Sequence, residues 1–179
     1  ISENTNECLK LATGDYIGFF DSDDYIDKKL FEEVYNIVTS KNPDLIEFGH
    51  YDVNKDGIVV KTFVPQIEST VFEGEEVMSK FLPDLICTNP KTGVASDLLM
   101  SAWSCLYRRE LLESCKFHFV SEREYISEDV YSLMKLMPNI QKVSIVQKAY
   151  YFYCENDQSL THTYKPDRFE KLEIGRAHV

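Results

Sequence analysis

The chain has 179 residues, enough for one domain with a substantial core, and its 44% hydrophobic and 13% aromatic content excludes a disordered segment. Its 30 acids against 19 bases give a formal net charge of -11, which excludes a general nucleic-acid binder with a basic stripe. No apolar stretch reaches membrane-spanning length, no signal-peptide pattern opens the chain, and five scattered cysteines without a C-x-x-C pair fit reduced thiols in the cytoplasm.

Residues Asn4 to Ala12 read as a helix, followed by a short buried strand, Tyr16-Ile17-Gly18-Phe19-Phe20. Gly14-Asp15 bounds that strand on one side and Asp21-Ser22-Asp23-Asp24 on the other. Three carboxylates at the end of a buried strand repel each other and lose hydration, a cost that a cation or hydrogen-bond donors must offset. A strand end holds them at nearly fixed separation, which suits a hard divalent ion, magnesium or manganese, with positions left open for water and phosphate oxygens. The pattern points to a metal–diphosphate site. The alternative is an acidic turn capping the next helix, a task for which Asp27 is already well placed.

That helix carries Leu30, Phe31, Val34, Tyr35, Ile37 and Val38 at helical spacing, with Asp27 as its N-cap and Asn42-Pro43 as its stop. Asp44 to Tyr51 reads as a strand, Asn54-Lys55-Asp56-Gly57 as a turn and Ile58 to Val64 as the return strand, with His50 a sheet-face residue. A second helix is expected from Glu73 to Leu82, with Val77, Phe81 and Leu85 towards a core. Cys87 to Asp97 is a loop beside a site. Ser101 to Tyr107 reads as a strand, Arg109 to Cys115 as a short helix and Lys116 to Ser127 as irregular. Glu128-Asp129 open a helix with Val130, Leu133, Met134 and Met137 along one face, stopped at Pro138-Asn139. Val143 to Val146 and Ala149 to Cys154 read as two final strands, and Glu155 to Thr163 as a polar loop. His118 and His162 are surface or loop residues.

No repeat or linker divides the chain. It opens with Ile1 rather than Met, and its last seven residues, Glu173 to Val179, resemble the translation of a sequencing-adaptor oligonucleotide. The expectation is therefore a gene fragment with a domain over 1–172 and a non-native tail over 173–179, in which Arg176 and His178 have no role.

Taken together, the segments resemble an inverting glycosyltransferase of family 2 with the GT-A fold, a mixed α/β sheet flanked by helices. The run Asn6-Glu7-Cys8-Leu9-Lys10-Leu11-Ala12-Thr13-Gly14-Asp15-Tyr16-Ile17 is similar to the family's Asn-x-Gly-Leu-x-x-Ala-x-Gly-(Glu/Asp)-Tyr-Ile pattern. Phe19-Phe20-Asp21-Ser22-Asp23-Asp24-Tyr25-Ile26 is close to its metal motif. Trp103 with Leu106-Tyr107-Arg108-Arg109, Ser127-Glu128-Asp129-Val130, and Tyr151-Phe152-Tyr153 before Ser159-Leu160-Thr161 complete the series in family order.

The resemblance implies a nucleotide-diphosphate sugar donor, often UDP, and a carbohydrate or lipid-linked acceptor. It implies a magnesium or manganese ion held by Asp24 and Asp23, with Asp23 also reaching the donor ribose and Asp21 supporting the donor site from the strand end. By the same resemblance Asp129 is the general base on the acceptor hydroxyl, Glu128 sits beside it, and Trp103 stacks on an acceptor sugar. Read alone, Glu128-Asp129 complements a helix dipole, Trp103 is a core residue, and Ser159 and Thr161 fix their own loop or line the site. Thr5, Cys105 and Cys154 stand where the family commonly has Arg, Lys and Arg, each a cation removed from the diphosphate or the acceptor.

The family's opening strand and base-gripping acid would precede Ile1, so the fragment is expected to hold half a donor pocket and to be inactive by itself. The implied location is cytoplasmic or at the inner face of the membrane. The alternatives are a catalytically silent member that only binds a partner, a haloacid-dehalogenase-like phosphatase and a calcium-binding loop ending at Glu32.

Overall fold

The apolar runs assemble into one mixed sheet of seven strands with helices against both faces. The computed structural model describes residues 2–87, 96, 98–121, 125 and 128–156. In chain order the elements are α1 (Ser2–Leu11), β1 (Tyr16–Gly18), β2 (Tyr25–Ile26), α2 (Leu30–Lys41), β3 (Leu45–Val53), β4 (Val59–Phe63) and β5 (Val71–Glu73). Then follow α3 (Leu82–Ile86), β6 (Cys105–Arg108), α4 (Arg109–Ser114), α5 (Glu128–Leu136) and β7 (Lys142–Cys154). The main strand order is β1-β6-β3-β7-β2, with β4 beside β3 and β5 beside β7. Strands β3 and β7 run parallel, and the other described pairs are antiparallel.

Period-two alternation in β3, β6 and β7 sorts the core into two layers. Leu45, Cys105, Tyr107, Val143 and Ile145 face α3, α4 and α5 through Leu85, Leu112, Leu133 and Leu136. Ile46, Phe48, Leu106 and Tyr150 face α2 through Leu30 and Val34. Phe31 and Tyr35, also at helical spacing, lie on the exposed side of α2. Lys29 rather than the expected Asp27 is the N-cap of that helix, without a side-chain cap bond; Asp27 shapes the turn before it, where Oδ1 accepts the Lys29 N–H at 2.8 Å and its carbonyl accepts the Leu30 N–H at 2.9 Å. Asn42, left-handed at φ 47°, returns its N–H to Val38 and ends α2 before Pro43.

Four expected elements differ. Strand β1 stops at Gly18, the last residue paired with β6, although Phe19 and Phe20 keep the alternation between the two layers. Glu73 closes strand β5 opposite Lys142, and Gly74 at φ 56° breaks the chain before the helical turn Val77–Phe81 and α3. Ala102–Ser104 is a 3₁₀ turn rather than strand, since the Ser104 hydroxyl bonds the carbonyls of Ser101 (2.9 Å) and Leu99 (3.1 Å). The two final strands are one: β7 runs through the polar pair Gln147-Lys148, where the register with β3 slips between Phe48 and His50. The expected loop Cys87 to Asp97 falls largely outside the described residues, as do Ser159, Thr161, His162 and the tail 173–179.

Candidate functional site

The acidic turn is placed by two rings. Phe19 packs on Tyr107 and Phe119, with centroids 5.6 and 4.9 Å away, and Phe20 packs on Tyr151 at 5.9 Å. The two rings keep the strand's alternation past the last residue paired with β6, and beyond Phe20 the chain turns. Asp21–Asp24 form that turn, closed by the Asp24 N–H to the Asp21 carbonyl at 3.2 Å. Strand β2 then runs back along β7, with Tyr25 opposite Phe152 and Ile26 opposite Tyr151.

The end of β7 grips the turn. Tyr151, fully buried, donates its hydroxyl to Asp24 Oδ2 at 2.5 Å and accepts the Asp21 N–H at 3.2 Å. The Cys154 N–H donates to Asp24 Oδ1 at 2.7 Å, and Asn156 Nδ2 donates to Asp23 Oδ2 at 2.8 Å. Burial raises the Tyr151 phenol far above its ordinary range, and the Asp24 carboxylate adds to it, so the hydroxyl stays a donor.

Asp129 is carried by α5, in the layer opposite Tyr151. A reciprocal amide pair, Asn6 Nδ2 to the Phe119 carbonyl at 2.9 Å and the Phe119 N–H to Asn6 Oδ1 at 2.8 Å, ties α1 to the stretch before α5. The Val120 N–H bonds Ser132 Oγ at 3.0 Å, which in turn bonds the Glu128 carbonyl at 2.6 Å, fixing the start of α5. Asp129 Oδ1 accepts the Val130 N–H at 2.8 Å, and Ser101 Oγ lies 3.5 Å from Oδ2.

The electrostatics join the two acid groups. Asp21 is exposed, yet its carboxyl is held above the ordinary aspartate range, first by partial desolvation and then by the charges of Asp24, Asp23 and Asp129. No basic group is among those charges. Asp24 is raised too, by desolvation, with its bonds to Cys154 and Tyr151 opposing. Asp21, Asp23 and Asp24 thus lie together in the connection from β1 to β2, and the charge of Asp129 reaches Asp21. The hydrogen bonds to Asp23 and Asp24 each occupy one lone pair of an oxygen and leave another open. Asp21 and Asp24 are the crowded, partly desolvated acids of this group, and a cation beside them would offset their charge. Among the described residues no three of His, Cys, Asp and Glu form a ready-made metal cluster.

Trp103 lies half-buried in an aromatic stack, 4.5 Å from Tyr151 and 5.7 Å from Tyr153, with His50 edge-on at 5.0 Å. It thus backs the tyrosine that holds Asp24. Glu128 sits in the first turn of α5 beside Asp129. Sequence reasoning assigned no role to Tyr151, Asn156, Ser101 or Asn6. The Tyr-x-Tyr run was the one available signal for Tyr151, because its bonds cross the whole chain. Cys105 faces Glu47 across the β3–β6 ladder, so a cation there would meet Glu47 rather than a diphosphate. Among the described residues, no helix is long and apolar enough to cross a membrane.

The family model described as Glycosyl transferase family 2 matches residues 1–113. The chain is 28% identical over 174 residues to the uncharacterized glycosyltransferase EpsJ of Bacillus subtilis (strain 168), covering 97% of this chain and 47% of that protein. To the cholesterol galactosyltransferase of Borreliella burgdorferi it is 24% identical over 177 residues, covering 98% and 47%. The crystal structure of Staphylococcus aureus TarS 1–349 in complex with UDP-GlcNAc matches with a TM-score of 0.70 at 22% identity, over 97% of this chain and 45% of that one. That likeness establishes the GT-A arrangement. The chain spans about half the length of these curated relatives.

Proposed function

The chain belongs to glycosyl transferase family 2, and from that premise we propose that the protein carrying it moves a sugar from a nucleotide-diphosphate donor to a carbohydrate or lipid-linked acceptor, with inversion. This membership sets aside the phosphatase alternative. The observation that carries the reading is the seating of Asp23 and Asp24 on the end of β7, with the charge of Asp129 felt at Asp21 from the opposite layer. A leaving group and a nucleophile must flank the same anomeric carbon, and acids arriving from two different layers can serve opposite sides of it. The donor nucleotide is UDP, a reading supported by the UDP-GlcNAc held by the TarS relative.

Asp129 takes the proton of the acceptor hydroxyl, and Ser101 orients its carboxylate at Oδ2. In this reading Glu128 and the half-buried Trp103 flank the acceptor. Tyr151 and the Cys154 N–H hold Asp24 in place, Asn156 holds Asp23 near the donor ribose, and Asp21 completes the anionic edge. Asp24 and Asp23 would hold a magnesium or manganese ion, which supplies counter-charge to the departing diphosphate; such ions are commonly bound by one or two carboxylates and substrate phosphates.

Two variants of the full-length protein test this division of labour. Asp24→Asn is expected to weaken manganese binding in calorimetry and abolish transfer. Asp129→Asn should keep manganese and UDP binding while lowering turnover by about two to four orders of magnitude, the scale of a lost general base. Loss of UDP binding in Asp129→Asn would move Asp129 to the donor side and defeat the base assignment.

A further inference from the structure

Glu47 lies in the middle of β3, 1% exposed, on the sheet face that carries Cys105 and Tyr107. Its cross-strand neighbours are Cys105 on β6 and Ile145 on β7, neither of them a cation. An acid in such a layer is costly unless it is neutral or paired. Oε1 accepts the Leu99 N–H at 2.8 Å, and Oε2 finds no hydrogen-bond partner among the described residues. Burial pushes the carboxyl up to about 8, opposed in part by the Leu99 amide, so the group is mostly uncharged at neutral pH.

The single bond reaches across 52 residues to the segment that serves Asp129. The Leu99 carbonyl accepts the Ser101 N–H at 3.0 Å and Ser104 Oγ at 3.1 Å, and Ser104 also bonds the Ser101 carbonyl. Leu98 is buried in the layer beneath, and Ser101 stands 3.5 Å from Asp129 Oδ2. One residue, Met100, thus separates the core anchor at Leu99 from the contact of Ser101 with Asp129.

We propose that Glu47 is a positioning residue for sugar transfer: by holding the Leu99 N–H from inside the sheet it fixes residues 98–104, so that Ser101 orients Asp129 and Trp103 lies on Tyr151. The proposal rests on the reading of Asp129 as the base. An uncharged acceptor suffices for the anchor, so Glu47→Gln keeps it while Glu47→Leu removes it.

In the full-length protein Glu47→Leu is expected to lower kcat about 10- to 100-fold, the scale of a misplaced reacting group, with the donor KM within about two-fold. Glu47→Gln should stay within about three-fold of the parent kcat, because its amide oxygen still accepts the N–H. Hydrogen exchange at the Leu99 amide, which is blind to chemistry, should speed up in Glu47→Leu and stay slow in Glu47→Gln. Ser101→Ala severs only the far end: kcat falls about three- to ten-fold with Leu99 still protected, which keeps the test sharp if Glu47→Leu does not fold. An unchanged kcat in Glu47→Leu or Ser101→Ala, or a Glu47→Gln variant as damaged as Glu47→Leu, overturns the proposal. Failure of the underlying reading looks different: Asp129→Asn keeps full turnover while Glu47→Leu still exposes the Leu99 amide, and the positioning role falls with the base.

Discussion

Tyr151 joins more of the site than any other single side chain. Its ring is stacked by Trp103, its hydroxyl donates to Asp24, and its oxygen receives the Asp21 N–H. The Tyr151→Phe variant keeps the ring and removes the two polar contacts. Expected is a loss of about 1–2 kcal/mol in urea unfolding, since a half-buried acceptor and a backbone donor each lose a partner. In the full-length protein manganese affinity should fall by about 10-fold or more, as when a group orienting a metal-binding carboxylate is lost. Unchanged affinity in calorimetry would reduce Tyr151 to a packing residue. The sequence flagged Tyr151 within a Tyr-x-Tyr run but gave it no task, because its partners lie 127 and 130 positions away.

Among the described elements, β3 and β7 each pair with three strands. Strand β3 pairs with β4, β6 and β7, and its register with β7 slips at Gly49. A Cβ at Gly49 would lie 2.1 Å from the Phe63 carbonyl oxygen and 3.0 Å from Val64 Cα, both backbone atoms with no rotamer to yield. Gly49→Ala is therefore expected to cost about 3 kcal/mol, at the upper end for overpacking, and to lower the urea midpoint accordingly. A change below about 0.5 kcal/mol, the range of an ordinary surface substitution, would mean that β4 does not close on β3 this tightly. The helices α2, α4 and α5 were legible from apolar spacing and stop signals, since those are local. The 3₁₀ turn at Ala102–Ser104 was not, because serine hydroxyls rather than side-chain alternation decide its backbone.

Across the whole molecule the charges set the pH response. Asp21, Asp24 and Glu47 all hold their protons more tightly in the fold than in the unfolded chain. The folded state then binds more protons, so their contribution is fully present below the unfolded carboxylate range and is lost as pH rises through the folded values. For Glu47 that rise ends near pH 8. Glu33 and Glu76, lowered first by hydrogen bonds from Lys148 and Lys80, act oppositely but from the solvent-exposed surface, where screening weakens them. Urea unfolding should show stability falling by roughly 2–4 kcal/mol between pH 5 and pH 8. Glu47→Gln should remove most of that slope, and an equal slope in this variant would place the proton elsewhere.

The amino-acid sequence by itself determined the strand-end acids, the helix opened by Glu128-Asp129, the amphipathic helices and the family, because each is written in neighbouring residues. The tertiary structure alone decided that the charge of Asp129 reaches Asp21, that β7 is one strand whose end grips the acidic turn, and that Glu47 holds the Leu99 N–H from inside the sheet. These are interactions between residues far apart in the chain. Local spacing fixes which face of an element is apolar, whereas the partner across the sheet is chosen by packing two layers at once.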